Sequence, residues 1–205
     1  MTAEELLAAA AAGATVVSVN TAPFKDPNIT IDEWKETLLE AAKVAIPEME
    51  VPPAVLLYLW GPGDRPGQAF IPVDRFFESP RAKKDLVPFI RSVIDQFLVN
   101  GFRTAAVVVM AEAWVVKNQA ATDAQEADIT PSQHPDRSDV LMMMLDRPTG
   151  SSMRTVEVLT DADGNRSAGS TDDMNTGDGA TLPGTMTGFF EIPEDLPTPG
   201  SDMVQ

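Results

Sequence analysis

The stretch Thr104–Val116, TAAVVVMAEAWVV, decides the fold class. Its β-branched content suits a long strand, and it carries one acid. The strand period of two puts Ala106, Val108, Met110, Glu112, Trp114 and Val116 on one face. Downstream the pattern repeats with no helix between. Asp139–Leu145, DVLMMML, reads as the next strand and Arg147-Pro148-Thr149-Gly150 as a turn. Met153–Thr160 then alternates as a strand up to the turn at Asp161–Asn165. Strands joined by turns pair antiparallel, which argues against a doubly wound parallel sheet.

Upstream of residue 104 the pattern is mixed. Ala3–Ala12 is alanine-rich with early acids, a helix expected between Thr2 as N-cap and Gly13. Thr15–Val19 is expected as a short strand. Thr30-Ile31-Asp32-Glu33 matches the S/T-x-x-E capping box, in which the cap hydroxyl and the glutamate each satisfy one orphan N–H. The helix it opens carries Trp34, Leu38, Ala41, Ala42, Ala45 and Ile46 on one face and stops before Pro47. Ala54–Trp60 is a continuous apolar run bounded by prolines and Gly61, the mark of a buried central strand. After the turn-rich Gly61–Gly67, Ala69–Val73 is placed to pair with it. Asp85 is expected to cap a helix with Phe89, Ile90, Val93, Ile94, Phe97 and Leu98 at helical spacing, ending at Asn100-Gly101, with a preliminary turn at Pro80–Lys84.

The expected fold is therefore α+β: a mainly antiparallel sheet of about five strands with two or three helices covering one face. Residues 1–165 form one domain, helical first and an antiparallel meander from 104. Residues 166–184 are rich in Gly, Ser and Asp, and are expected to be a flexible loop. A last strand is expected at 185–192, before an acidic, proline-rich tail at 193–205.

Composition removes whole classes of function. With no cysteine, the chain makes no disulfide, thiolate nucleophile or Cys-bound metal. One histidine, His134, leaves no multi-His site. No apolar run approaches the roughly 20 residues a membrane helix requires. The N-terminal apolar run follows Glu4 and Glu5 where a secretion signal carries positive charge, so a cytoplasmic (host cell) or virion-associated protein is expected. The formal charge is −16 and falls unevenly. Residues 1–104 hold 14 acids and 10 bases, residues 105–205 hold 17 acids and 5 bases. Neutralising phosphates takes a basic patch, so direct nucleic-acid binding is not expected.

Each motif competes with a plainer reading. Asp161-Ala162-Asp163-Gly164-Asn165 has oxygens at alternate positions but departs from the calcium-loop pattern, and it reads as a hairpin turn. Asp172, Asp173 and Asp178 lie in a stretch with nothing to gather them around a cation. Ser132, His134 and Asp136 sit on alternate residues of one loop, without the rigid frame a triad needs. Gly61–Gly67 lacks the helix start of a phosphate loop. No cofactor or metal site follows. Glu112 is the one acid that suggests chemistry, if Asp139 or Glu157 faces it from a neighbouring strand; the plainer reading is that this face is solvent-exposed there or that Glu112 pairs with Arg154 or Arg137. Large aromatics on a sheet face pack beneath a helix, so Trp114 is expected to be buried under the helices led by Trp34 and Phe89. The alternative is an exposed groove lined by Trp114 and Glu112.

Ala111-Glu112-Ala113-Trp114, followed after a polar loop by Pro131-Ser132-Gln133-His134-Pro135-Asp136-Arg137-Ser138-Asp139-Val140-Leu141, resembles a pattern in small uncharacterised bacterial and bacteriophage proteins that reads roughly "AExW … PSxxPDRxEVL". Asp139 stands where that pattern has glutamate. The resemblance covers about residues 104–165 and implies a phage or prophage setting, with no assigned activity. The leading expectation is a non-enzymatic structural, accessory or interaction protein whose partner is another protein or a second copy of itself. The binding candidates are Glu112, His134, Asp136, Arg137 and Asp139. Two alternatives stand beside it: an acidic inhibitor that mimics nucleic-acid charge, and a carboxylate enzyme with Glu112 in its site.

Overall fold

The computed structural model describes residues 24, 26–115, 137–175 and 188–190. An antiparallel sheet of six strands runs through the described residues in the order β2-β1-β3-β4-β5-β6. The strands are β1 (Ala54–Gly61), β2 (Arg65–Pro72), β3 (Arg103–Val115), β4 (Ser138–Arg147), β5 (Gly150–Thr160) and β6 (Arg166–Asn175). The helices are α1 (Ile31–Ala45), the short α2 (Asp74–Phe77) and α3 (Pro80–Lys84), and α4 (Leu86–Val99). The class is α+β, and the described residues form six strands where about five were expected.

The added strand is β6. Residues 166–175, expected to be loop, pair with β5 from Thr160↔Arg166 to Ser152↔Asn175 with one bulge between Val156 and Val158. Their small polar side chains suit a solvated edge that needs little apolar burial. The turn feeding β6 is the one read from Asp161–Asn165. Asp161 Oδ1 accepts the backbone N–H groups of Asp163 (2.9 Å) and Asn165 (2.8 Å), and Gly164 takes the left-handed φ of +85°. These donors hold the Asp161 carboxyl below the usual carboxylate range, the Asn165 side-chain bond being the largest cause.

The helices cover both faces of the sheet, where cover of one face was expected. On one face, Trp34, Leu39, Ala42 and Ile46 of α1 join Leu56, Tyr58, Val108, Met110, Leu141, Met143, Val156 and Val158. On the other, Phe76, Leu86, Ile90, Val93 and Phe97 join Val55, Leu57, Leu59, Ile71, Val107, Val109 and Met144. The cause lies in β1, where Ala54 through Leu59 are all buried. A strand apolar at every position needs a cover on each side.

The α1 capping box forms as its sequence dictates. Thr30 N–H donates to Glu33 Oε2 at 2.9 Å, and Glu33 N–H donates to the Thr30 hydroxyl oxygen at 3.2 Å. The buried stripe of α1 passes through Leu39, with Ala41 exposed. Trp34 packs edge-on to Tyr58 of β1 and gives its indole N–H to Gln68 Oε1 of β2 (2.8 Å), so α1 is pinned across two strands. Asp85 precedes α4 without a side-chain cap bond, because α3 runs almost directly into α4.

The helix expected at 3–12, the strand at 15–19 and the tail at 193–205 lie outside the described residues. Within the strand expected at 185–192, Gly188–Phe190 are described, and they are not in a strand.

Candidate functional site

Beyond the end of α1, no described helix covers the sheet's α1 face, and a cleft of about 440 Å³ opens there. Three places in the chain build it. Glu50 comes from the segment between α1 and β1. Glu112, Ala113, Trp114 and Asp139 come from the paired ends of β3 and β4. Val158, Thr160 and Arg166 come from the β5–β6 hairpin. The register fixes which side chains share the face. Trp114 pairs with Asp139, and Glu112 with Leu141, so Glu112 and Asp139 are diagonal neighbours. Glu157 pairs with Val140, out of phase with this set, and lies on the opposite face.

Glu112 is the clamp of the cleft floor. Its Oε1 accepts the Val51 backbone N–H at 2.7 Å and its Oε2 accepts Arg166 Nη2 at 2.6 Å. The two side chains of this ion pair are 18% and 22% exposed, so it is better shielded than a surface pair. Glu112 thus ties the start of β6 and the approach to β1 onto β3. The partner is Arg166; neither of the arginines proposed from sequence, Arg137 and Arg154, fills that place. Arg154 instead lies between Glu36 of α1 and Asp173 of β6, and both acids hold its guanidinium charged.

Trp114 is 53% exposed, which overturns its expected burial. The strand direction expected from sequence is right, since Trp114 shares the face of Val108 and Met110. The covering helix, however, ends too soon. Ile46 and Val51 close the α1-side core, and β3 extends past them. The indole therefore forms a wall of the cleft beside Asp139. Among the described residues no ion pair takes up Glu50 or Asp139. With Arg166 balanced by Glu112, the lining keeps two carboxylates and one indole face.

Of the sequence candidates, Glu112 and Asp139 meet in the cleft, and Arg137 begins the approach to β4 without lining it. His134 and Asp136 lie outside the described residues. Sequence reasoning missed Glu50 and Arg166. Both are brought in by loop and edge geometry, and neither sits in a periodic pattern. Among the described residues no group of three or more His, Asp or Glu is gathered for a metal, and no helix is long and apolar enough to cross a membrane. No family model, curated protein or solved structure matches the chain.

Proposed function

We propose that the protein is a non-enzymatic interaction protein that docks a basic segment of a protein partner in the Trp114 cleft. The observation that carries this reading is a half-exposed indole on a strand beside carboxylates that have no ion pair among the described residues. An indole face and nearby carboxylates are what an arginine or lysine side chain seeks: cation–π contact on one side and charge-assisted hydrogen bonds on the other. Both elements are pre-set by the β3–β4 pairing, so little ordering cost falls on binding. The acidic second half of the chain would speed the encounter with such a partner. The phage or prophage setting of this proposal rests on the Ala111–Leu141 pattern.

Catalysis by Glu112 is disfavoured on geometry. Each of its oxygens accepts a bond from the chain itself, one from the Val51 N–H and one from Arg166, which commits the carboxylate to holding the fold.

Calorimetric titration with a synthetic peptide of alternating arginine and glycine tests the reading. Binding should weaken as salt rises. Trp114→Ala should reduce affinity by about 2- to 30-fold, the range a cation–π contact gives. Asp139→Asn should weaken binding in the same direction. Equal affinity of wild type and Trp114→Ala would remove the cleft from the account.

A further inference from the structure

On the opposite face of the sheet a second site is already filled, by the chain's own residues 188–190. Asp146 of β4 is 4% exposed and has three donors on its carboxylate. Ser151 Oγ donates to Oδ1 at 2.6 Å, and the backbone N–H groups of Gly188 and Phe189 donate to Oδ2 at 3.1 and 2.9 Å. From α4, Arg91 donates Nε and Nη2 to the Gly188 carbonyl oxygen at 3.0 and 2.7 Å. Phe189 is 2% exposed and is part of the apolar cluster that holds Val107, Val109, Phe97 and Met144. Gly188 has φ +83°, a conformation that disfavours any residue with a Cβ.

The site therefore reads a backbone and a side chain together. It engages two successive N–H groups, the carbonyl between them, a glycine conformation and an aromatic ring. A buried carboxylate is costly unless donors satisfy it, and here two of the three donors belong to the captured segment. With that segment gone, Asp146 keeps Ser151 and loses both amides. The socket is therefore built for a peptide.

We propose that Asp146, Ser151 and Arg91 form a peptide-recognition socket, that Gly188-Phe189-Phe190 is its ligand in cis, and that the same segment of a second copy of this chain can replace it. The socket lies on the α4 face, away from the Trp114 cleft, and stands or falls independently of it.

The probe is a fluorescein-labelled peptide spanning Thr185–Ile192, titrated into full-length protein and read by anisotropy. Phe189→Ala removes the ring of the cis ligand and leaves the socket lining intact. The peptide should bind this variant at least about tenfold more tightly than wild type, where the tethered segment competes at high effective concentration. Adding Asp146→Ala to that variant, or replacing the peptide's Phe189 by Ala, should abolish binding. A peptide that binds neither protein, or binds both equally, overturns the proposal. A second measurement covers the case in which Phe189→Ala does not fold. In wild type, the Gly188 and Phe189 amides should exchange with solvent through a local opening, well before those of Val108 and Leu141. Exchange of all four only on global unfolding would show that the segment does not leave the socket, and would overturn the exchange.

Discussion

At the scale of single residues, Glu112 and Trp114 are two positions apart on one strand face and have opposite duties. Glu112 is spent on structure. Removing its carboxylate leaves the Val51 N–H and Arg166 without their acceptor, so Glu112→Ala should cost about 1.5–3 kcal/mol in chemical denaturation, and Glu112→Gln, which keeps an acceptor, less. Trp114 is spent on the surface. Trp114→Ala should change stability by no more than about 0.5 kcal/mol, against about 3–5 kcal/mol for an indole in a core. Trp34, 1% exposed beneath α1, is the control: Trp34→Ala should fall in the larger range. Thermal melts of the two tryptophan variants side by side decide whether the burial pattern is correct. The strand, its face and the company of Glu112 and Trp114 were all legible from TAAVVVMAEAWVV. The length of the cover was not, because Trp114 is apolar and in phase, and period alone cannot report where a helix from another part of the chain ends.

At the scale of elements, α1 depends on a local signal. Thr30→Ala removes the hydroxyl that accepts the Glu33 N–H and donates to Glu33 Oε2, keeps the Thr30 backbone N–H bond to Glu33, and should cost about 1 kcal/mol. The capping box carries a pH signature. Glu33 is held below its ordinary range chiefly by the Thr30 backbone N–H. A carboxyl depressed in the folded state contributes stability above its unfolded value, and that contribution is lost as pH falls through the folded one. The gap between wild type and Glu33→Ala, which removes the depressed carboxyl itself, should therefore be full near neutrality and shrink on acidification below the usual glutamate range. A gap of constant size down to acid pH would show that the Glu33 bond contributes nothing. This capping box could be read from four letters because it is local. β6 could not, because its polar sequence offers no apolar alternation. It pairs with β5 across the Asp161–Asn165 turn, and ion pairs help to place it: Asp173 with Arg154 of β5, and Arg166 with Glu112 of β3.

At the scale of the molecule, the sheet is a wall between two apolar layers, and each layer bears one of the two proposed recognition features. The α1 layer stops short and exposes the Trp114 cleft. The α4 layer takes in Phe189. The two-sided arrangement was implicit in Ala54–Trp60, an apolar run without alternation. A one-sided cover would leave Val55, Leu57 and Leu59 in water. Leu57→Ala, on the α4 side, should accordingly cost about 2–5 kcal/mol, as for any fully buried leucine. A loss under 1 kcal/mol would mean that the second layer is not packed.

The central claim is that the exposed indole of Trp114 is a docking surface for basic side chains, and acrylamide quenching of its fluorescence tests it most directly. Subtracting the emission of Trp114→Phe isolates Trp114 from Trp34 and Trp60. The isolated signal should be red-shifted and readily quenched in the free protein. Saturating arginine–glycine peptide should lower the quenching, and added salt should restore it. An acidic peptide of equal length should do nothing. A Trp114 signal that stays equally quenchable at saturating basic peptide, or one already shielded in the free protein, would contradict the account.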